Sequence, residues 1–200
     1  LAVLSTSCGS SPAALDDKGP DKPVDDDDKP DEDKPLALEH LVPKVHARYP
    51  HDPRAFTQGL LWAHGRVFES TGLRGQSSLR EVELETGVVK RQVENDPAIF
   101  AEGLTLIDKR FVQLSWLERR AFVWNLADFA LLKEFSYEGE GWGLCYDGKE
   151  LVMSDGSATL TFRDPETFAV LRTLAVTREG KPQKQLNELE CAQGKVFANV

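Results

Sequence analysis

The chain has 200 residues, 40% of them apolar and 8% aromatic, with 33 acidic against 24 basic side chains and a formal net charge of −9. That is enough for one domain with a sizeable core plus a tail. Ten of the acids and four of the lysines fall between Leu15 and Pro35, leaving 23 acidic and 20 basic side chains elsewhere. This balance argues against the clustered basic surface that a nucleic-acid partner requires, and no stretch is long and apolar enough to span a bilayer.

Residues 1–8, Leu1-Ala2-Val3-Leu4-Ser5-Thr6-Ser7-Cys8, read as the remnant of a signal peptide. Small residues precede a cysteine that would become a lipidated N-terminus, so Cys8 is the candidate lipidation site. The expectation is an extracytoplasmic protein of the bacterial periplasm or outer surface, attached to the membrane through that lipid. Residues 9–38 are rich in Asp, Lys, Pro and Ser, with too little apolar surface to offset the entropy of ordering, and read as a disordered linker. Asp25 to Lys29 resembles a protease tag, but Pro30 and the similar Asp-Lys-Pro text around it mark natural linker sequence. Residues 39–200 form the folded domain. In it, Leu41 to Phe56 are expected to supply an outer strand.

From Gln58 onward the chain repeats. Gln58-Gly59-Leu60, Glu102-Gly103-Leu104, Trp142-Gly143-Leu144 and Asn187-Glu188-Leu189 recur at intervals of 44, 40 and 45 residues. A period in the forties of strand-like text signals an all-β propeller. The first repeat runs Gly59 to Trp62, a turn at His64-Gly65, Arg66 to Ser70, Ser78 to Leu84, then Val88 to Val93. The second turns at Asp108-Lys109 and the third at Asp147-Gly148, each with four strand-like runs. A fourth begins at Asn187, turns at Gln193-Gly194-Lys195 and reaches Val200 in mid-blade. About three and a half blades are therefore expected in this chain, with the remainder of the ring beyond Val200.

Innermost strands of a propeller line a shared channel, so Gln58, Glu102, Trp142 and Asn187 are expected to converge at one end of it. Trp116 is expected to join them from a second strand. Aromatic walls with a few convergent polar groups suit a small-ligand pocket, and a carboxyl desolvated by Trp116 and Trp142 would have its pKa raised toward neutrality.

At these motifs the chain resembles the glutaminyl-peptide cyclotransferases of the plant and bacterial type. The likeness runs from Tyr49 to Val200. It is carried by Phe56-Thr57-Gln58-Gly59-Leu60, Glu69-Ser70-Thr71-Gly72, Glu102-Gly103-Leu104-Thr105, Gly141-Trp142-Gly143-Leu144, Ser154-Asp155-Gly156-Ser157 and Leu186-Asn187-Glu188-Leu189-Glu190. The resemblance implies a five-bladed propeller that converts the N-terminal glutamine of peptides or proteins to pyroglutamate with loss of ammonia, without cofactor or metal. It further implies Glu102 as general base and acid, Gln58 and Asn187 as holders of the substrate amide, and Trp116, Trp142 and Phe56 as walls. An additional aromatic and a lysine of the family's pocket would lie beyond Val200. A monomer is expected.

Two rival readings use the same fold. A calcium-dependent propeller lactonase or esterase could use Glu102 and Asn187 as ligands, but Gln58 is a poor ligand and Trp142 none. A non-catalytic propeller would present its loops to a protein partner. Cys145 and Cys191 occupy corresponding regions of adjacent repeats and are expected to be two buried free thiols, not a disulfide. All four histidines lie between His40 and His64, away from both cysteines, so neither a Cys-His nucleophile nor a zinc site is expected.

Overall fold

The computed structural model describes residues 42–200 and the backbone strand Ala2–Ser5. Cys8 and the 9–38 linker lie outside the described residues. Among those described there is no α-helix. In chain order the strands are β1 (Ala2–Ser5), β2 (Thr57–Ala63), β3 (Arg66–Thr71), β4 (Ser78–Val82), β5 (Val89–Glu94), β6 (Ala101–Ile107), β7 (Arg110–Ser115), β8 (Arg120–Asn125) and β9 (Leu131–Ser136). They continue with β10 (Leu144–Tyr146), β11 (Leu151–Met153), β12 (Thr159–Arg163), β13 (Val170–Ala175), β14 (Thr177–Arg178), β15 (Lys181–Pro182), β16 (Leu189–Ala192) and β17 (Lys195–Ala198).

These strands form three four-stranded antiparallel meanders, β2 to β5, β6 to β9 and β10 to β13, which are three complete propeller blades. The fourth blade contains β16 and β17, with β1 antiparallel beside β17; β14 and β15 make a small separate hairpin. Tight turns connect the strands where the sequence asks for them. His64 and Gly65 both take positive φ, 51° and 72°, the backbone of a two-residue hairpin turn between β2 and β3.

Alternate residues of each strand point to opposite faces, and in the inner and middle strands of the second and third blades both faces are buried. Phe68 and Leu79 of the first blade meet Leu104, Phe111, Phe122 and Trp124 of the second. The other face of the second blade, Val112, Leu114, Ala121 and Val123, packs on Leu144, Leu151 and Met153 of the third. Val152, Leu160 and Phe162 then cover Leu189, Val196 and Ala198 of the fourth. This double burial shows in β7, where Phe111, Val112, Gln113, Leu114 and Ser115 are buried in succession.

Two expectations are corrected. Residues 42–56 contain no strand. They run along the first blade instead, held where His51 Nε2 meets Glu69 Oε1 at 2.8 Å and where Gly87 leaves room for the Pro50 backbone. Cys145 and Cys191 are not free thiols: they form a disulfide, with Cα atoms 5.4 Å apart, that joins β10 to β16. Face-to-face packing of successive blades brings corresponding positions on the inner strands within bonding range, a proximity that sequence separation conceals.

Candidate active site

Each of the four repeated triplets begins with a β-bulge. In the first blade the register shifts between Thr57 and Gly59, so that Gln58 is the extra residue opposite Ser70. In the second it shifts between Ala101 and Leu104, leaving Glu102 and Gly103 opposite Leu114. The third repeats this in its hydrogen bonds, Trp142 N to Ser154 O and Ser154 N to Gly143 O, each 3.0 Å. In the fourth, Asn187 N donates to Asn199 O at 3.0 Å and Asn199 N to Glu188 O at 3.3 Å. A bulge re-aims the side chain it carries. Gln58, Glu102, Trp142 and Asn187 thus share one irregular position at the same end of the inner strands, as the period predicts.

Glycine completes three of the bulges because the next blade comes too close for a side chain. A Cβ on Gly59 would lie 2.7 Å from Leu104 N, one on Gly103 2.6 Å from Leu144 N, and one on Gly143 2.7 Å from Leu189 N. Real Cβ contacts do not approach so closely, so Gly59, Gly103 and Gly143 set the tightness of the channel. Ser154 closes the last junction: its Oγ accepts from Gly143 N and donates to the Asn187 carbonyl, both at 2.7 Å.

Glu102 is buried. Burial, reinforced by the negative charges of Glu118 and Glu140, pushes its carboxyl up to about 8. Trp116 stands half-buried just past the end of β7, and its Nε1 donates to Glu140 Oε2 at 2.7 Å. Trp142 Nε1 donates to the same oxygen at 2.9 Å, so one carboxylate pins both indoles. Phe100 lies edge-on to Trp116 at 5.5 Å between centroids, and Phe56 lies edge-on to Phe100 at 6.0 Å. An aromatic row from Phe56 through Phe100 to Trp116 is thereby linked to Trp142 through Glu140. Gly156 leaves space for the Trp142 ring and Gly72 for Phe100 and Gln58. Behind this row the Tyr137 hydroxyl donates to the Ser115 carbonyl; burial raises its pKa, and Glu102 is among the charges acting on it.

Three participants were not singled out from the sequence. Phe100 and Glu140 complete the row, and Glu188 is a half-buried residue with its Oε2 shut off from solvent, its carboxyl raised by burial and by the negative charge of Glu102. Glu140 had a signal in its place between two glycines next to Trp142. Glu188 had a stronger one, since it stands where the other three triplets have glycine. Among the described residues no three His, Cys, Asp or Glu side chains gather as a metal-ligand set.

The profile of a family described as glutamine cyclotransferase matches residues 25–200. A glutaminyl-peptide cyclotransferase of Arabidopsis thaliana is 44% identical over 169 residues, covering 82% of this chain and 53% of that protein. The crystal structure of Myxococcus xanthus glutaminyl cyclase matches with 42% identity and a TM-score of 0.71, over 76% of this chain and 64% of the other. The chain therefore spans about half the length of the curated relative. The Pan2 WD40 domain of Neurospora crassa, 12% identical with a TM-score of 0.53 over 66% of this chain and 38% of its own, shares the fold alone.

Proposed function

Since the chain belongs to the glutamine cyclotransferase family, we propose that it converts the N-terminal glutamine of peptides to pyroglutamate with release of ammonia, using Glu102 as the acid and base. The observation that carries this reading is a buried carboxyl with a pKa near 8, set in a bulge beside an aromatic row. A peptide α-ammonium titrates at about 7.7 to 8.0, so substrate and enzyme groups are closely matched and a proton passes between them at little cost.

The chemistry balances with that one group. The unprotonated α-nitrogen attacks the side-chain amide carbon, and a C–N bond closes the five-membered ring. The Glu102 carboxyl gives its proton to the departing nitrogen, the old C–N bond breaks, and ammonia leaves. The surplus proton on the ring nitrogen returns to the Glu102 carboxylate, restoring the starting state. An ammonium substrate meeting ionised Glu102 carries the same total of protons and enters the same path.

In this reading the side-chain amides of Gln58 and Asn187 donate to the oxygen on which charge develops. Phe56, Trp116 and Trp142 hold the substrate's N-terminal residue and exclude water, so that the amine and not a water molecule reaches the amide carbon. The substrate class is any peptide or protein with a free N-terminal glutamine.

Export is part of the proposal. The Cys145–Cys191 disulfide fits an oxidising compartment, and Cys8 preceded by small residues fits a lipid anchor at the head of the 9–38 linker. Cleavage before Cys8 would remove β1 and leave β17 as the edge of the fourth blade among the described residues, and mass spectrometry of the mature N-terminus should find a lipid on Cys8.

The decisive test is ammonia release from a glutamine dipeptide, with the product lactam identified by mass. Stoichiometric ammonia and pyroglutamyl product are expected. A protein with intact β-sheet circular dichroism that releases neither would sink the assignment.

A further inference from the structure

The backbone around Glu102 closes a circuit that runs through both blades beside it. Trp116 N donates to Phe100 O at 2.9 Å, Gly141 N to Trp116 O at 3.0 Å, and Gly103 N to Trp142 O at 2.7 Å. The covalent chain supplies the remaining links, from Phe100 to Gly103 and from Gly141 to Trp142. The bulge that carries Glu102 is thus held at one end by the Trp116 backbone and at the other by the Trp142 backbone. Glu140 ties these two tryptophans to each other, since its Oε2 accepts from Trp116 Nε1 at 2.7 Å and from Trp142 Nε1 at 2.9 Å. Its own segment is wedged in place. Gly139 turns with φ at 86°, and a Cβ on Gly141 would lie 2.6 Å from the Ser115 carbonyl oxygen and closer still to the Tyr137 hydroxyl. Every member of the circuit belongs to the second and third blades or to the link between them, and both blades have all four strands.

We propose that Glu140 is a positioning residue for Glu102: by clamping the two indoles on one oxygen, it fixes the tryptophans whose backbone holds the Glu102 bulge. The inference rests on the reading of Glu102 as the acid–base group. A bulge interrupts the ladder bonds of its own strand, so what holds it must come from neighbouring elements. Here those bonds come from Trp116 and Trp142, and a carboxyl displaced by about 1 Å from the reacting nitrogen loses about 10²-fold in rate. Glu140 also acts on Glu102 as a charge, and substitution separates the two effects. Glutamine removes the charge but keeps an acceptor, because its amide turns the oxygen toward the two indole N–H groups, where its NH₂ would meet only donors. Leucine removes both charge and acceptor.

The test follows the indole N–H resonances of the four tryptophans in nitrogen-15-labelled protein, with Trp116→Phe and Trp142→Phe variants to assign the two that matter. Amide exchange and steady-state cyclisation kinetics are measured beside them. In Glu140→Leu both indole resonances should move upfield, and exchange at Gly103, Trp116 and Gly141 should quicken by about tenfold or more while the strands of the first blade stay protected. Its kcat should fall by about tenfold or more. Glu140→Gln should keep both resonances near their hydrogen-bonded positions and hold kcat within about threefold of the parent, because a neutral acceptor preserves the geometry with weaker bonds. Should the leucine variant not fold, Glu140→Asp takes its place, being one methylene short of both indoles. Unmoved indole resonances or unchanged exchange at Gly103 in the leucine or aspartate variant overturn the proposal. So does a glutamine variant as slow as the leucine one, because Glu140 would then act as a charge and not as a clamp. If the parent protein does not cyclise glutamine, the functional reading falls, while the resonances and the exchange at Gly103 still decide whether Glu140 holds the bulge.

Discussion

At neutral pH Glu102 carries its proton, and this has a consequence for stability as well as for its proposed acid–base role. Its carboxyl titrates near 8 in the fold against an ordinary value of 4.5. Between those two pH values the native state binds more protons than the unfolded chain, so stability falls as pH rises, by up to about 1.4 kcal/mol per unit for one such group. Below about pH 4.5 both states are protonated and the penalty vanishes; above about pH 8 it is complete. Glu102→Gln removes that contribution. The variant should melt close to the parent at pH 5 and clearly above it at pH 9, while turnover falls by about 10²- to 10⁴-fold, the usual value of a positioned acid–base group. Calorimetry at the two pH values checks the first part and ammonia release the second. A variant less stable than the parent at pH 9 would show that the carboxylate is paired in the fold and not isolated.

The bulge is the element that turns a repeated strand into a site. Gly103→Ala places a Cβ 2.6 Å from both Leu144 N and the Trp142 carbonyl, so the second and third inner strands must part. Overpacking of this kind costs about 1–3 kcal/mol, and because Gly103 follows Glu102 in the same bulge, the carboxyl moves with it. The expected result is a lowered denaturation midpoint together with loss of kcat, measured by urea titration and kinetics; unchanged values for both would show that the junction relaxes freely. The triplet period was legible from residue order, as were the turns at His64-Gly65 and Gln193-Gly194, because each is local chemistry. The bulges were not, since a bulge exists only relative to the register of a partner strand. For the same reason residues 42–56 look like a strand in isolation yet form none: no neighbouring strand pairs with them among the described residues. Glu140 escaped notice because its meaning lies in Trp116, 24 residues earlier, and in Trp142.

On the scale of the whole molecule, the blades hold together face against face, and the fourth blade packs on the third through Leu189, Val196 and Ala198 of its two short strands. The disulfide adds to this packing. Cys145 lies on β10 beside Val152, and Cys191 lies on β16, directly after the segment that carries Asn187 and Glu188. The cross-link closes a loop with a sequence separation of 46 residues, for which the chain-entropy account gives about 4 kcal/mol. For a domain of this size that corresponds to a fall in Tm of roughly 8–16 °C on reduction. The Cys145→Ser/Cys191→Ser double variant should show the same fall without reductant, and should be indifferent to it. Amide exchange should accelerate first in β16 and β17, because their attachment to the third blade then rests on packing and the Ser154–Asn187 hydrogen bond. Since that blade carries Asn187, the proposed holder of the substrate amide, the proposed cyclisation should weaken at temperatures where the first three blades remain protected. Equal melting of parent and double variant would remove the disulfide from this account and leave packing to hold the fourth blade.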